Sequence, residues 1–139
     1  MKRFLITSLL ILLASCNGKI NQEDLIQLNG YWEIEKVILA SGELKEYKIN
    51  TTVDYIQIEK DQGFRKKVYP KLDGSFDTTD DAKKFSVIDS SGVLLLSYEN
   101  SLSSWKEQLL TLDKNSFSVK NEEEITYYYK KFIPINITP

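Results

Sequence analysis

Short extended segments recur along this 139-residue chain at intervals of about 10–14 residues, and this spacing leaves few folds open to it. Each segment is rich in β-branched and aromatic residues, and clusters of Gly, Asn, Asp and Ser separate one segment from the next. We predict strands over residues 31–39, 44–49, 53–60, 63–69, 83–89, 93–98, 105–112, 116–120 and 124–132. Such short links leave no room for crossover helices, so the strands must form an antiparallel meander.

These eight or nine strands occupy about 105 residues, which is enough for one domain and not for two. The segment Ser116-Phe117-Ser118-Val119-Lys120 alternates between polar and apolar residues, as a half-buried strand does. Closure into a small barrel is favoured, because a closed sheet has no exposed edges through which it could aggregate. The predicted fold class is therefore all-β, an antiparallel meander that closes into a small barrel. A Greek-key sandwich is the alternative.

The amino terminus has the pattern of a secretory signal peptide. Lys2 and Arg3 precede an apolar run over residues 4–13 that contains no acidic residue. The run is about ten residues long, whereas a membrane-spanning helix needs roughly 20, so it predicts a signal-peptide helix and not a stable anchor. The sequence Leu13-Ala14-Ser15-Cys16 follows it. It resembles the lipobox of bacterial lipoproteins, in which a branched apolar residue and two small residues precede a cysteine.

Cys16 is the only cysteine in the chain, so it cannot form an internal disulfide. The resemblance to a lipobox implies cleavage between Ser15 and Cys16. It also implies a diacylglyceryl group on the thiol and a further acyl chain, such as palmitate, on the new amino group. At about 0.8 kcal/mol per buried methylene, two or three such chains hold a protein on a bilayer essentially permanently. A buried core cysteine is the alternative interpretation.

These features divide the chain into four parts. Residues 1–15 are predicted to be the lipoprotein signal peptide. Residues 16–29 are predicted to be the lipidated cysteine and a tether, with a short helical turn over residues 23–28. Residues 30–133 are predicted to form the barrel domain, and residues 134–139 a C-terminal tail.

Composition excludes several classes of function. No histidine occurs, which excludes serine–histidine–aspartate and cysteine–histidine nucleophile schemes and the common zinc sites. The formal net charge of −2 would become more negative on cleavage of the signal peptide, because the cleaved segment contains Lys2 and Arg3. A chain with this acidic balance is a poor nucleic-acid binder. The acidic run over residues 77–81 lacks the ligand spacing of a calcium loop and is predicted to be a solvated loop. We therefore predict no enzyme, no catalytic residue, no metal site, no cofactor and no nucleic-acid partner.

Two other charged runs are interpreted as structural. Arg65-Lys66-Lys67 is predicted to lie on a solvated edge strand, where its charges discourage aggregation. Glu122-Glu123-Glu124 is predicted to be a hairpin tip, because no second carboxylate is spaced to form an acid–base pair with it.

The first strand opens with Gly30-Tyr31-Trp32, preceded by Leu28. This opening resembles the lipocalin-like domain of small lipoproteins from Bacteroidetes-type bacteria, and it shares its Gly-x-Trp with true lipocalins. In that family the tryptophan plugs the closed end of the barrel, and a basic side chain of the last strand packs over its indole ring. The resemblance thus implies a lipocalin-like barrel closed by Gly30, Trp32 and either Lys130 or Lys131. The chain is shorter than a typical lipocalin, which implies a shallow barrel.

Two functions follow from this pattern. The first is a non-enzymatic binding protein for a small apolar ligand. The predicted ligand-lining residues are Trp32, Ile34, Tyr55, Phe117, Tyr127 and Tyr129, although the same aromatic side chains could simply fill the core of the barrel. The second is an accessory subunit of an outer-membrane protein complex, with a filled barrel and a protein-binding surface.

The predicted location is the cell envelope, with the acyl chains as the contact to the membrane. Asn17 follows the cysteine where an aspartate would be the inner-membrane retention signal of enteric bacteria, so outer-membrane sorting is predicted. The domain would face either the periplasm or the cell surface.

Overall fold

A computed structural model describes residues 19–134, which form an eight-stranded antiparallel β-barrel. The predicted signal peptide, Cys16 and most of the predicted C-terminal tail lie outside the described residues. A 3₁₀ helix, Gln22–Leu28, precedes the strands. The strands are β1 (Gly30–Ile38), β2 (Leu44–Glu46), β3 (Val53–Glu59), β4 (Gln62–Pro70), β5 (Phe76–Thr78), β6 (Lys83–Ser90), β7 (Val93–Glu99), β8 (Ser104–Leu112), β9 (Ser116–Asn121) and β10 (Thr126–Lys131).

The sheet runs in the order β10-β9-β8-β7-β6-β4-β3-β1, and β1 then pairs with β10 to close the barrel. Every pairing is antiparallel. In β1, Trp32 pairs with Lys131 of β10 on one side, at the seam where the barrel closes, and with Asp54 of β3 on the other side. This closure confirms the all-β barrel prediction and excludes the sandwich. The short strands β2 and β5 lie outside this closed order, where β2 pairs with the carboxyl-terminal end of β1 and β5 with that of β4.

One strand was not predicted. The sequence predicted a solvated acidic loop over residues 77–81. In the structure β5 has only three residues, and its Asp77 and Thr78 are exposed. Its position depends on a hairpin pairing with β4 and on one contact with a distant part of the chain. Thr78 pairs with Val68 of β4, and the Phe76 ring stacks on Tyr31 with 4.3 Å between ring centroids. Cross-strand aromatic packing of this kind can hold a strand whose own propensity is weak.

The end of the barrel at which β1 begins is filled with apolar side chains. The helix packs over this closed end, which also carries the β3–β4, β6–β7 and β8–β9 turns. The side chains buried in this core are Leu25, Leu28, Trp32, Ile56, Ile58, Phe85, Leu94, Leu96, Leu109, Phe117 and Val119. Because Leu25 and Leu28 belong to the core, the folded unit begins before Gly30, within the segment predicted as tether.

Within residues 19–134, no helix combines the length and the apolar character needed to cross a membrane.

Candidate functional site

The closed end is built around Trp32, which is completely buried. Its indole N–H donates a hydrogen bond to the carbonyl oxygen of Leu28 at 2.8 Å, so the tryptophan fixes the end of the helix. The Phe117 ring meets the indole edge-on at 4.8 Å. The Lys131 ammonium lies 4.4 Å from the centre of the indole and donates a hydrogen bond to the carbonyl of Asn29 at 2.9 Å. Contacts of a cation with an aromatic face contribute about 0.5–2 kcal/mol.

The two lysines of the last strand have different positions. Lys131 lies over the tryptophan, whereas Lys130 points outward and forms an ion pair with Glu33 at 3.3 Å. Gly30 has a φ of +129°, and a Cβ atom there would lie 2.7 Å from the Lys131 ammonium. The glycine therefore lets the lysine approach the indole. The structure thus brings together Gly30, Trp32 and Lys131.

The opposite end of the barrel holds a cavity of about 260 Å³. It is lined by polar and charged side chains and by aromatic rings from seven of the eight wall strands, all except β1, and from the β5–β6 connection. The residues that line it are Asp54, Arg65, Lys66, Lys67, Asp81, Lys83, Tyr98, Trp105, Glu107, Asn121, Tyr127 and Tyr129. Most of them stand at the ends of strands farthest from the helix, so the apolar core forms the floor of the cavity.

Strand alternation explains why charges point into the barrel. In β3, Asp54 shares a face with the core residues Ile56 and Ile58. In β4, Arg65 points inward, and the side chain of Lys67 reaches the same carboxylate from the rim. Arg65 Nη2 lies 2.6 Å and Lys67 Nζ 2.7 Å from the two oxygens of Asp54. Burial by itself raises the pKa of the Asp54 carboxyl, but these two cations outweigh it and hold the pKa below its ordinary value.

Arg65 is the centre of this network. Its Nη2 also donates a hydrogen bond of 2.6 Å to the Tyr129 hydroxyl, and its guanidinium lies 4.9 Å from the centre of that ring. Burial raises the pKa of Tyr129 to about 12. On the other side, Arg65 Nη1 lies 3.8 Å from Glu107 Oε1, which is too long for a hydrogen bond. Burial raises the pKa of Glu107 although Arg65 opposes this effect.

The other side of the cavity carries polar atoms whose hydrogen-bonding capacity is not used. The Tyr98 hydroxyl is buried close to Arg65 and Glu107, but it makes no hydrogen bond of good geometry within residues 19–134, and the residue is only 2% exposed. The ring of Tyr98 stacks on Trp105, with centroids 5.3 Å apart and an angle of 4° between the planes. Buried polar groups are normally paired, so each exception needs an explanation. One side of the cavity is therefore a polar surface with hydrogen-bonding capacity to spare, formed by Tyr98, Glu107 and Arg65 Nη1.

Of the six predicted ligand-lining residues, Tyr127 and Tyr129 line the cavity. Trp32 and Phe117 lie in the apolar core below it, and Ile34 packs against that core. Tyr55 lies on the outer face of the barrel.

That outer face carries an aromatic cluster in which Tyr55 takes part. Its ring is 4.9 Å from Tyr31 and 6.0 Å from Phe64. Alternation explains the position, because Asp54 and Ile56 on either side of Tyr55 point inward.

The prediction for Arg65-Lys66-Lys67 was wrong. β4 lies between β3 and β6 and is not an edge strand, and Arg65 is mostly buried. Arg65 and Lys67 face Asp54 in the interior, whereas Lys66 faces outward. Because all three residues are charged, this alternation of inward and outward side chains does not show in the sequence. The described residues contain no group of acidic side chains arranged to hold a metal ion.

Replacing Glu107 by glutamine is expected to raise the free energy of unfolding at neutral pH by about 1 kcal/mol, because the variant no longer buries a poorly paired charge. Between the ordinary pKa of 4.5 and the raised pKa of Glu107, the folded protein holds a proton that the unfolded chain has released. The wild type should therefore lose stability as the pH rises through this range, and Glu107→Gln should not. Urea unfolding at several pH values measures the difference. Glu99→Gln, at an exposed position, is the control, and a Glu107→Gln protein less stable than wild type at neutral pH would contradict the prediction.

Comparison with known proteins agrees with the observed architecture. The sequence profile of the lipocalin-like domain matches residues 28–119. A solved lipocalin-like protein from Bacteroides uniformis is 12% identical and aligns over 76% of this chain and 99% of that chain, with a TM-score of 0.47. A solved apocrustacyanin C1 is 11% identical and aligns over 83% of this chain and 66% of that chain, with a TM-score of 0.48. No curated protein sequence matches the chain. Because the profile match covers more than half of the sequence and most of the barrel, the chain belongs to the family of lipocalin-like domains.

Proposed function

We propose that this protein is a membrane-anchored, non-enzymatic binding protein that holds one small polar molecule in the cavity at the open end of its barrel. A single observation carries the choice of ligand. Arg65 Nη1 and Glu107 Oε1 face each other at 3.8 Å, and the buried Tyr98 hydroxyl near them makes no hydrogen bond of good geometry within the described chain. A ligand group that both donates and accepts hydrogen bonds, such as an amide or a hydroxyl, would satisfy the guanidinium and the carboxylate together.

The charges around the cavity support a neutral ligand. Three carboxylates, of Asp54, Asp81 and Glu107, and three cationic side chains, of Arg65, Lys67 and Lys83, line it, so the two signs balance. Asp54 already has two cationic partners, and Arg65 already has two hydrogen-bond acceptors. An ion entering this site would lose its hydration and find few free groups of opposite charge, which makes its transfer costly.

The aromatic rings support a ligand with one flat or apolar face. Trp105 and Tyr127 lie at the cavity beside the polar groups. A purely apolar ligand, as the sequence suggested, would cover Glu107 and Tyr98 without bonding to them. Each buried polar group left without a partner costs about 1–3 kcal/mol. The proposed ligand therefore combines a flat face with a donor–acceptor group.

A matched set of small aromatic probes tests this proposal. Benzamide, benzoate, benzylammonium and toluene share one ring and differ in the group attached to it. We expect benzamide to bind with a dissociation constant on the order of 1 mM, as its small number of atoms permits, and the other three to bind more weakly. Ligand-observed NMR measures all four. Tighter binding of toluene, or of dodecanoate as a longer apolar probe, would contradict the proposal.

Variants locate the binding. Tyr98→Phe removes only the buried hydroxyl, and it should weaken benzamide binding severalfold while it leaves the cavity shape unchanged. Tyr69→Phe is the matched control, because Tyr69 is exposed and does not line the cavity. If both variants bound benzamide equally weakly, or if neither bound it more weakly than the wild type, the probe would bind elsewhere on the protein.

The anchor is proposed to be the acylated Cys16, in the outer membrane. The lipobox-like sequence Leu13-Ala14-Ser15-Cys16 supports it. Mass spectrometry of the amino-terminal peptide from membrane-purified protein should find acyl chains on Cys16, and Cys16→Ser should leave the protein out of the membrane fraction. An unmodified Cys16 in mature protein would contradict the anchor.

The alternative function, an accessory subunit of an outer-membrane complex, has one observation in its favour: the closed half of the barrel is filled with side chains. A pull-down from detergent-solubilised membranes with the full chain tests it, and recovery of the bait alone would count against it.

A further inference from the structure

The chain enters the fold at the closed end of the barrel. Lys19 lies beside the β6–β7 turn, where a Cβ atom on Gly92 would be 3.7 Å from Lys19 Cε. Ile20 packs against the apolar core, and the helix that follows buries Leu25 and Leu28. The position of Lys19 relative to the barrel is therefore set by the packing of the residues that follow it.

The chain between Lys19 and Cys16 is too short to reach the other end of the molecule. Cys16 precedes Lys19 by three residues, and an extended residue spans at most about 3.6 Å, so this segment spans roughly 10 Å. β1 has nine residues. At about 3.3 Å per residue and the usual tilt of about 40°, the wall is roughly 20–25 Å high along the barrel axis. A bilayer that holds Cys16 therefore lies next to the closed end, and with the barrel axis along the membrane normal the cavity mouth is roughly 20–25 Å away from it.

We propose that the headgroup surface of the bilayer faces the closed end of the barrel, and that the mouth of the cavity opens away from the membrane. This rests on the anchoring of Cys16 proposed above. The closed end also exposes apolar side chains on that side: Ile26 is 69% exposed, and Ile88 and Val93 are partly exposed. These side chains suit contact with a lipid interface more than with bulk water.

Charge does not contribute to this contact. The closed end carries both signs. Its acidic residues are Glu23, Asp24, Glu59, Asp61, Asp89 and Asp113, and its basic residues are Lys19, Lys60, Lys114 and Lys131. A surface of this balance has no attraction for anionic lipid. The acyl chains therefore hold the protein on the membrane, and the short segment sets its orientation. A ligand reaches the cavity from the aqueous side and not from within the lipid.

The test uses the acylated full chain, purified from membranes and reconstituted in phosphatidylcholine vesicles that carry a headgroup-attached quencher. One introduced cysteine is labelled with a fluorophore, since Cys16 is blocked by its lipid. Ile26→Cys reports on the closed end, and Leu102→Cys, in the β7–β8 turn, reports on the mouth; both positions are strongly exposed. We expect quenching severalfold greater at position 26 than at position 102. Equal quenching at the two positions, or greater quenching at 102, would overturn the orientation.

Two controls separate this result from a failure of the anchor. Mass spectrometry of the Cys16 peptide shows whether acylation is present, and without acylation the anchoring proposal fails independently of any orientation. A variant with a dozen Gly and Ser residues inserted after Gly18 keeps the anchor but lengthens the tether. Its two labels should be quenched to similar extents, and a preserved difference would show that the short segment does not set the orientation.

Discussion

Trp32→Ala is expected to lower the free energy of unfolding by about 3–5 kcal/mol, the usual cost of emptying a fully buried aromatic site. The loss has three physical parts. The apolar core around Trp32 and Phe117 would contain a cavity, the carbonyl of Leu28 would lose its hydrogen bond, and the Lys131 ammonium would lose the ring it covers. Stabilities of 5–15 kcal/mol are usual for single domains, so this variant should be close to unfolding at room temperature.

Urea unfolding followed by circular dichroism measures this prediction without relying on tryptophan fluorescence. Trp105→Ala is the matched control, since Trp105 lines the cavity and is only partly buried. Trp105→Ala should lower the free energy of unfolding clearly less than Trp32→Ala does. Equal destabilisation by the two substitutions would mean that the closed end is not the structural centre of the barrel.

Arg65→Met is expected to lower the free energy of unfolding at neutral pH by about 3–5 kcal/mol, because it removes one partner of a buried ion pair and leaves the other charged. Asp54 would keep only Lys67, whose side chain is 59% exposed. Glu107 would lose its nearest cation, and the Tyr129 hydroxyl its hydrogen-bond donor.

The pH dependence of the Arg65→Met defect follows from Asp54. In the wild type the pKa of Asp54 is lowered, so its stabilising contribution is present above the ordinary pKa of 3.8 and is lost as the pH falls through the lower folded value. Without Arg65, burial raises this pKa, and the carboxyl takes up a proton at higher pH. The difference in stability between Arg65→Met and wild type should therefore shrink as the solution is acidified.

Two further variants make this test specific. Lys67→Met removes the more exposed cation from the same carboxylate, and it should cost much less than Arg65→Met. Asp54→Asn combined with Arg65→Met should recover part of the loss, since it removes the unpaired charge as well. If Lys67→Met proved as harmful as Arg65→Met, or the double variant showed no recovery, the network would not be organised around Arg65.

Most of the wall of the barrel could be predicted from the sequence, because half-buried strands alternate and turns carry their own residues. Each of the nine predicted segments corresponds to a strand, with ends that shift by a few residues. β5 was missed because three residues are too few to show a period, and the ring of Tyr31 that holds Phe76 is distant in the sequence. Local patterns therefore define the strands that make the wall and also β2, whereas tertiary contacts define β5.

The cavity was harder to predict than the wall. Asp54, Arg65 and Glu107 come from three strands, and nothing in the spacing between them indicates that they meet. One local signal was available. Asp54 shares the two-residue period of Ile56 and Ile58, which places a carboxylate on the inner face of a strand. A charge on that face needs a buried partner, so this position pointed to a cation elsewhere in the barrel.

The seam between β1 and β10 has a consequence for the order of events during biosynthesis. The Lys131 ammonium and the Asn29 carbonyl that it binds are 102 residues apart, so the wall cannot be sealed until nearly the whole polypeptide is available. Contacts between such distant parts of a chain make folding slow. Strands that emerge early keep an unpaired edge until the last one arrives. This delay is compatible with the export proposed above, because a chain crosses a translocation channel before it folds.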